Sequence, residues 1–126
     1  MLKRIDFQTL PARDPARARD FYRDRLGMDV RTDLPYGDSR WIFMAIPGAE
    51  TLLHFGTAEE VQVKAGTPAL CLICDDVDAE AARLAAEGIP MTAGPADAEW
   101  QPGMRWAMFP DSEGNLVLIQ SSIHDG

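Results

Sequence analysis

The sequence predicts an α+β fold in which one βαβββ module occurs twice in tandem, the two curved mixed sheets enclosing a cleft. Three observations predict it. The stretches "RIDFQTLPARDPARARDFYRDRLGMDV" and "PALCLICDDVDAEAARLAAEGIPMTA" share one order: apolar run, acidic break, helical stretch, glycine, second apolar run. Their spacing holds, since Asp14 to Asp75 and Gly27 to Gly88 are both 61 positions. Further on, "RWIFMAIPG" from Arg40 matches "RWAMFPDSEG" from Arg105 at 65 positions, and the apolar runs "TLLHF" and "LVLIQ" follow them. One small loop insertion accounts for the change from 61 to 65.

Each element has a local cause. Asp14 suits the N-cap of the first helix, and Pro15 suits its first position, where the missing N–H would have no partner anyway. Ala18, Phe21, Tyr22 and Leu26 fall on one helical face, and Gly27 can take the left-handed cap conformation. The polar stretch "GTAEEVQVKAGTP" reads as a linker, giving module one as 3–56, the linker as 57–67 and module two as 68–122 of one domain. In the second helix Asp75-Asp76 forms the cap, Val77, Ala81, Leu84 and Ala85 share a face, and Gly88 and Pro90 end it. The segment "AGPADAEWQPGM", Ala93 to Met104, is rich in glycine and proline and reads as a loop over the cleft mouth. "DSEGN" reads as a turn, with Asp111 bonding nearby backbone and Gly114 supplying a positive φ. A helix covers only one face of each sheet, so the remaining apolar surface predicts a homodimer.

Bulk properties exclude several classes. The 126 residues are 46% hydrophobic, enough for a core. The net charge of −8, from 20 acidic and 12 basic residues, argues against nucleic acid. No apolar run approaches the ~20 residues of a membrane span. The first residues lack the pattern of a signal peptide, which points to the cytoplasm. Cys71 and Cys74 have C-x-x-C spacing, but on a strand they point to opposite faces about 10 Å apart, too far for a disulfide. No second pair exists to complete a zinc site, so both read as buried packing thiols. There is no phosphate-cradling glycine loop, and Ser121 and Ser122 lack a base partner in their sequence context.

Two βαβββ modules, "RDPARARDFYRDRLG", "DDVDA" and "DSEGN" together resemble the vicinal oxygen chelate superfamily over nearly the whole chain. That group includes glyoxalase I, extradiol dioxygenases, fosfomycin-resistance enzymes and bleomycin-resistance proteins. The resemblance implies metal ligands on the first and last strands of each module. Matched positions here are Phe7, with Gln8 its neighbour, and Ala69 on the first strands. On the last strands they are His54 and Leu118, with Gln120 two residues further on. A divalent site needs several nitrogen or oxygen donors converging at about 2.0–2.2 Å, and Phe7, Ala69 and Leu118 offer none. His54, Gln8 and Gln120 remain as weak candidate ligands. The implied function is therefore a metal-free binder of a planar or aromatic small molecule, sequestering or conferring resistance to it, with no cofactor. The alternative is a lyase, isomerase or dioxygenase of the glyoxalase type, dependent on a divalent metal ion. A third reading is a partner module whose cleft is only a dimer interface.

Individual residues follow from this. Phe7, Trp41, Phe43, Trp106 and Met108 fall on strands expected to line the cleft, with ordinary core packing as the competing reading. Trp100 and Glu99 lie on the glycine- and proline-rich segment, Glu99 as a lone carboxylate near the ligand. His54 reads first as a core or pocket residue, then as an acid–base group, and last as a metal ligand. His54 and Glu99 are the catalytic candidates if there is catalysis. Gln120 is a hydrogen-bonding candidate. Arg40 and Arg105 read as solvated strand ends or, alternatively, as contacts to an anionic ligand group. His124 falls in a polar tail.

Overall fold

A computed structural model of the chain describes residues 1–122, so His124 lies outside the described residues. The chain divides into two compact units, one from Met1 to Val63 and one beginning at Lys64. Each is βαβββ, as the sequence predicts. None of the described helices is long and apolar enough to cross a membrane.

The first unit runs β1 (Phe7–Pro11), α1 (Pro15–Asp24), β2 (Asp29–Tyr36), β3 (Ser39–Ala45) and β4 (Leu52–Gly56). Its sheet has the order β1-β4-β3-β2, with β1 parallel to β4 and the other pairs antiparallel. The parallel pair follows from the α1 crossover, and the antiparallel ones from direct hairpin-like returns. Pro35 sits in β2, an edge strand, where a missing N–H costs no ladder bond. Ile42 and Met44 of β3 and Leu53 and Phe55 of β4 are buried, and the Tyr22 ring of α1 lies 5.5 Å from Phe55. Alternation along the strands therefore turns these four toward the helix and the intervening residues to the other face.

The second unit repeats this with β5 (Leu70–Ile73), α2 (Val77–Ala86), β6 (Ala93–Asp97), β7 (Arg105–Pro110) and β8 (Leu116–Gln120), in the order β5-β8-β7-β6. Ala107, Phe109, Val117 and Ile119 are buried, as are Val77, Ala81 and Leu84 of α2.

Asp14 caps α1 through Oδ1, which accepts from the Arg17 N–H at 3.1 Å, and Asp76 caps α2 by accepting from Ala79 N–H at 3.0 Å. The residue equivalent to Asp14 is thus Asp76 rather than Asp75. Gly27 and Gly88 both follow the helices with positive φ, +74° and +86°.

Four expectations need correcting. Leu26 lies beyond the end of α1 and is only half-buried, and Ala85 is exposed. The stretch read as a loop begins with strand β6, because β6 is an edge that tolerates Pro95 and a register shift between Ala93 and Ala96 absorbs the Gly-Pro pair. Only its remainder, through Trp100, forms the β6–β7 connection, closed by Ala98 N–H donating to Met104 O at 2.8 Å. Cys71 is exposed and Cys74 half-buried, both as free thiols. Cys71 is on edge strand β5 with only Leu118 beside it in register, which is why it escapes burial.

Candidate functional site

The face of the first sheet turned away from α1 carries the aromatic residues singled out in the sequence. Register places Thr9 beside His54, His54 beside Phe43 and Leu34 beside Trp41. Ring centroids lie 4.4 Å apart for Trp41 and His54, 4.9 Å for Phe43 and His54, and 5.7 Å for Phe7 and His54. Phe7 meets Phe43 edge-on at 5.2 Å, and Tyr36 extends the row to 5.6 Å from Trp41. These are favourable edge and tilted geometries. The rings leave His54 only 4% exposed, while Trp41 stays 37% and Phe7 41% exposed. The sequence-based site residues Phe7, Trp41, Phe43 and His54 are thus brought together within one unit.

The imidazole is oriented by the backbone. His54 Nδ1 lies 2.9 Å from the carbonyl oxygen of Ile42, which can only accept, so Nδ1 carries the proton. That leaves Nε2 as the ring nitrogen not engaged by the backbone. Among the described residues no side-chain nitrogen or oxygen is both buried and unpartnered, so Nε2 keeps an opening to solvent. It can accept a hydrogen bond from a ligand hydroxyl or N–H.

A cavity of about 280 Å³, with His54 among its lining residues, lies at one end of this sheet, where β1 runs into Arg13 and β4 into Thr57. Its walls include Tyr36, Trp41 and His54, and its rim includes Arg13, Arg40 and Glu60. Tyr36, Arg13 and Glu60 are site residues that the sequence reading missed. Tyr36 was findable: it flanks a two-residue Gly37-Asp38 turn and pairs with Ser39, so alternation sets it on the same face as Leu34 and hence Trp41. Arg13 and Glu60 gave no pattern, since one precedes a cap and the other lies in a connection read as a linker.

The two arginines before the tryptophans are neither free strand ends nor open anion contacts. Arg40 donates from Nε to Asp33 Oδ1 at 2.5 Å, and Asp33 also accepts from Arg19 of α1 at 2.7 Å. The Arg40 guanidinium, followed by that of Arg19, holds the Asp33 carboxyl below the usual carboxylate range. Arg105 donates to both oxygens of Asp78 in α2, at 2.8 and 3.0 Å, and to Asp97 of β6 at 3.2 Å. Asp78 is lowered by this pairing and Arg105 raised.

In the second unit Trp100 and Trp106 form a tilted pair at 5.7 Å. Trp106 pairs in register with Gln120, and Met108 with Leu118. Glu99 is exposed and has no hydrogen bond or ion pair among the described residues. Partial desolvation by neighbouring groups pushes the Cys71 and Cys74 thiols up even though Cys71 is exposed as a residue, and at Cys74 the Glu80, Asp75 and Asp76 carboxylates add to it.

The donor set does not fit a divalent ion. His54 and Leu118 hold matching positions, beside Phe43 and Met108 in their respective sheets, and only the first offers a donor. Gln8 pairs with Leu53, one step from Thr9 and His54, so it projects from the opposite face to His54. Among the described residues no group of three or more His, Cys, Asp or Glu side chains is placed to hold a metal.

Comparison with known proteins agrees with this architecture. A family model described as the Glyoxalase/Bleomycin resistance protein/Dioxygenase superfamily matches residues 4–119, and the chain belongs to that superfamily. The crystal structure of TnmS3, an antibiotic binding protein from Streptomyces sp. CB03234, is similar at 32% identity and a TM-score of 0.81, covering 95% of this chain and 96% of that one. A superfamily member from Sphaerobacter thermophilus DSM 20745 gives 26% identity and a TM-score of 0.82 over 96% and 98% of the two chains. The uncharacterized protein YurT of Bacillus subtilis (strain 168) is 33% identical over 116 residues, 84% of this chain and 89% of that protein.

Proposed function

We propose that this protein binds a flat, partly apolar small molecule without a metal ion, on the aromatic face of its first unit. The observation that carries this reading is the row Tyr36, Trp41, Phe43 and Phe7 around an oriented His54, open to a cavity. A partly exposed aromatic row has unsatisfied apolar area, and a flat ring can cover it. Burying ~150–250 Å² of an aromatic ligand at ~25 cal/mol/Å² yields ~4–6 kcal/mol before ordering costs, so polar contacts such as one to His54 Nε2 must add to it. The cavity, at about 280 Å³, lies just below the range for ligand sites, ~300–1,000 Å³, which favours a one- or two-ring compound or one part of a larger molecule. The likeness to an antibiotic binding protein supports a sequestering role. We also take the working form to be a homodimer, which light scattering checks by giving twice the 13.9 kDa chain mass.

Elemental analysis of protein purified without chelator tests the metal-free part. The expected content of zinc, nickel and iron is far below one atom per chain. A value close to one, lost on His54→Ala, supports instead the metal-dependent enzyme.

A further inference from the structure

We propose that the cavity of the first unit selects dipolar aromatic ligands, those carrying both an anionic and a cationic group, through Arg13 and Glu60. This rests on the ligand-binding reading above and names the class of ligand. Arg19, Arg23, Arg40, Arg83 and Arg105 all pair with carboxylates. Arg13, on the cavity rim, has no such partner among the described residues, nor does the carboxylate of Glu60 on the same cavity. Arg40 cannot substitute for Arg13, because its Nε and Nη2 are committed to Asp33. Glu60 is seated by shape. A Cβ on Gly56 would come within 3.0 Å of Glu60 Oε2 and 2.8 Å of Thr9 Cγ2, so the missing side chain lets the carboxylate fold over the end of β4.

Two opposite charges thus border one cavity without neutralising each other. A molecule that fills the space displaces part of the water around both. A ligand with one charge gains one pair and leaves the other rim charge without a partner, so it gains less. A ligand with neither charge leaves both uncompensated. Only a dipolar molecule stacked on Trp41 answers both. Each rim charge is exposed, so each pair contributes up to about fivefold in affinity, equivalent to ~1 kcal/mol.

A matched indole series measures this by isothermal titration calorimetry: indole, indole-3-propionate, tryptamine and tryptophan against the full chain. Tryptophan is expected to bind more tightly than the other three, by several-fold over indole at low salt, and less so in ~1 M salt, where screening shortens to ~3 Å. Arg13→Ala should reduce tryptophan to the level of tryptamine, and Glu60→Gln to that of indole-3-propionate. If indole binds and Trp41→Ala weakens it, but tryptophan has no advantage or keeps it in both rim variants, the charge selection is overturned and the aromatic site stands. If no member of the series binds, or Trp41→Ala leaves indole binding unchanged, the aromatic site is itself wrong and the selection falls with it.

Discussion

The two units are copies in architecture and opposites in chemistry. Asp14 and Asp76 cap their helices with the same bond, Gly27 and Gly88 end them with the same backbone sign, and Arg40 and Arg105 are both tied to aspartates. These features serve the fold of each unit. The faces turned away from the helices differ. At one register position the first sheet has His54 among three rings, and the second has Leu118 beside Met108 and Cys71. A shared scaffold sets where side chains go, and the site is made by which ones are there.

Each core holds a large ring. Tyr22 and Phe109 are both fully buried. Truncating either to alanine is expected to cost about 3–5 kcal/mol in urea unfolding. A loss below about 1 kcal/mol at either position would show that the ring is not anchoring its unit.

Asp14→Ala should cost about 1 kcal/mol. Asp76→Ala should cost less, because α2 keeps Asp78 and Glu80 in its first turn to oppose the helix dipole while α1 has no acidic residue there. Equal costs would mean that those carboxylates do not compensate, and a larger cost at Asp76 would contradict the argument.

The smallest effect concerns acid. Asp33 has a pKa depressed below its ordinary 3.8 by Arg40 and Arg19, so its contribution is present above that value and is lost as pH falls through the lower folded value. Asp33→Asn should lower the denaturation midpoint at pH 7, and the difference from wild type should shrink as pH falls below 3.8. Asp78→Asn should behave alike but more weakly, since the Asp78 side chain is 56% exposed against 22% for Asp33. A deficit that persists unchanged at low pH would assign the effect to something other than these ion pairs.

The repeat made the fold legible. Periodicity, caps and glycines recur at near-constant spacing, so both βαβββ modules could be read without coordinates. The aromatic set was legible in part, because alternation on β3 and β4 puts Trp41, Phe43 and His54 on one face once the strands are placed. The edge strand β6 was hidden by Gly94 and Pro95, whose local preference is for turns and which an edge position tolerates. The pairing of Arg40 with Asp33 and the rim positions of Arg13 and Glu60 depend on how side chains meet across elements, and no local pattern encodes that. Cys71 was misread because an apolar run resembles a central strand whether or not a neighbour covers it.

In the function proposed above, the rings around His54 hold the ligand. Tryptophan emission, titrated with a panel of planar antibiotics and aromatic metabolites without added metal, tests it in wild type, Trp41→Phe and Trp106→Phe. At least one compound is expected to shift the wild-type emission, and Trp41→Phe to weaken its binding by roughly threefold to tenfold. An unaltered affinity in Trp41→Phe for a confirmed ligand, or no response to any compound, would contradict it and return these rings to ordinary packing.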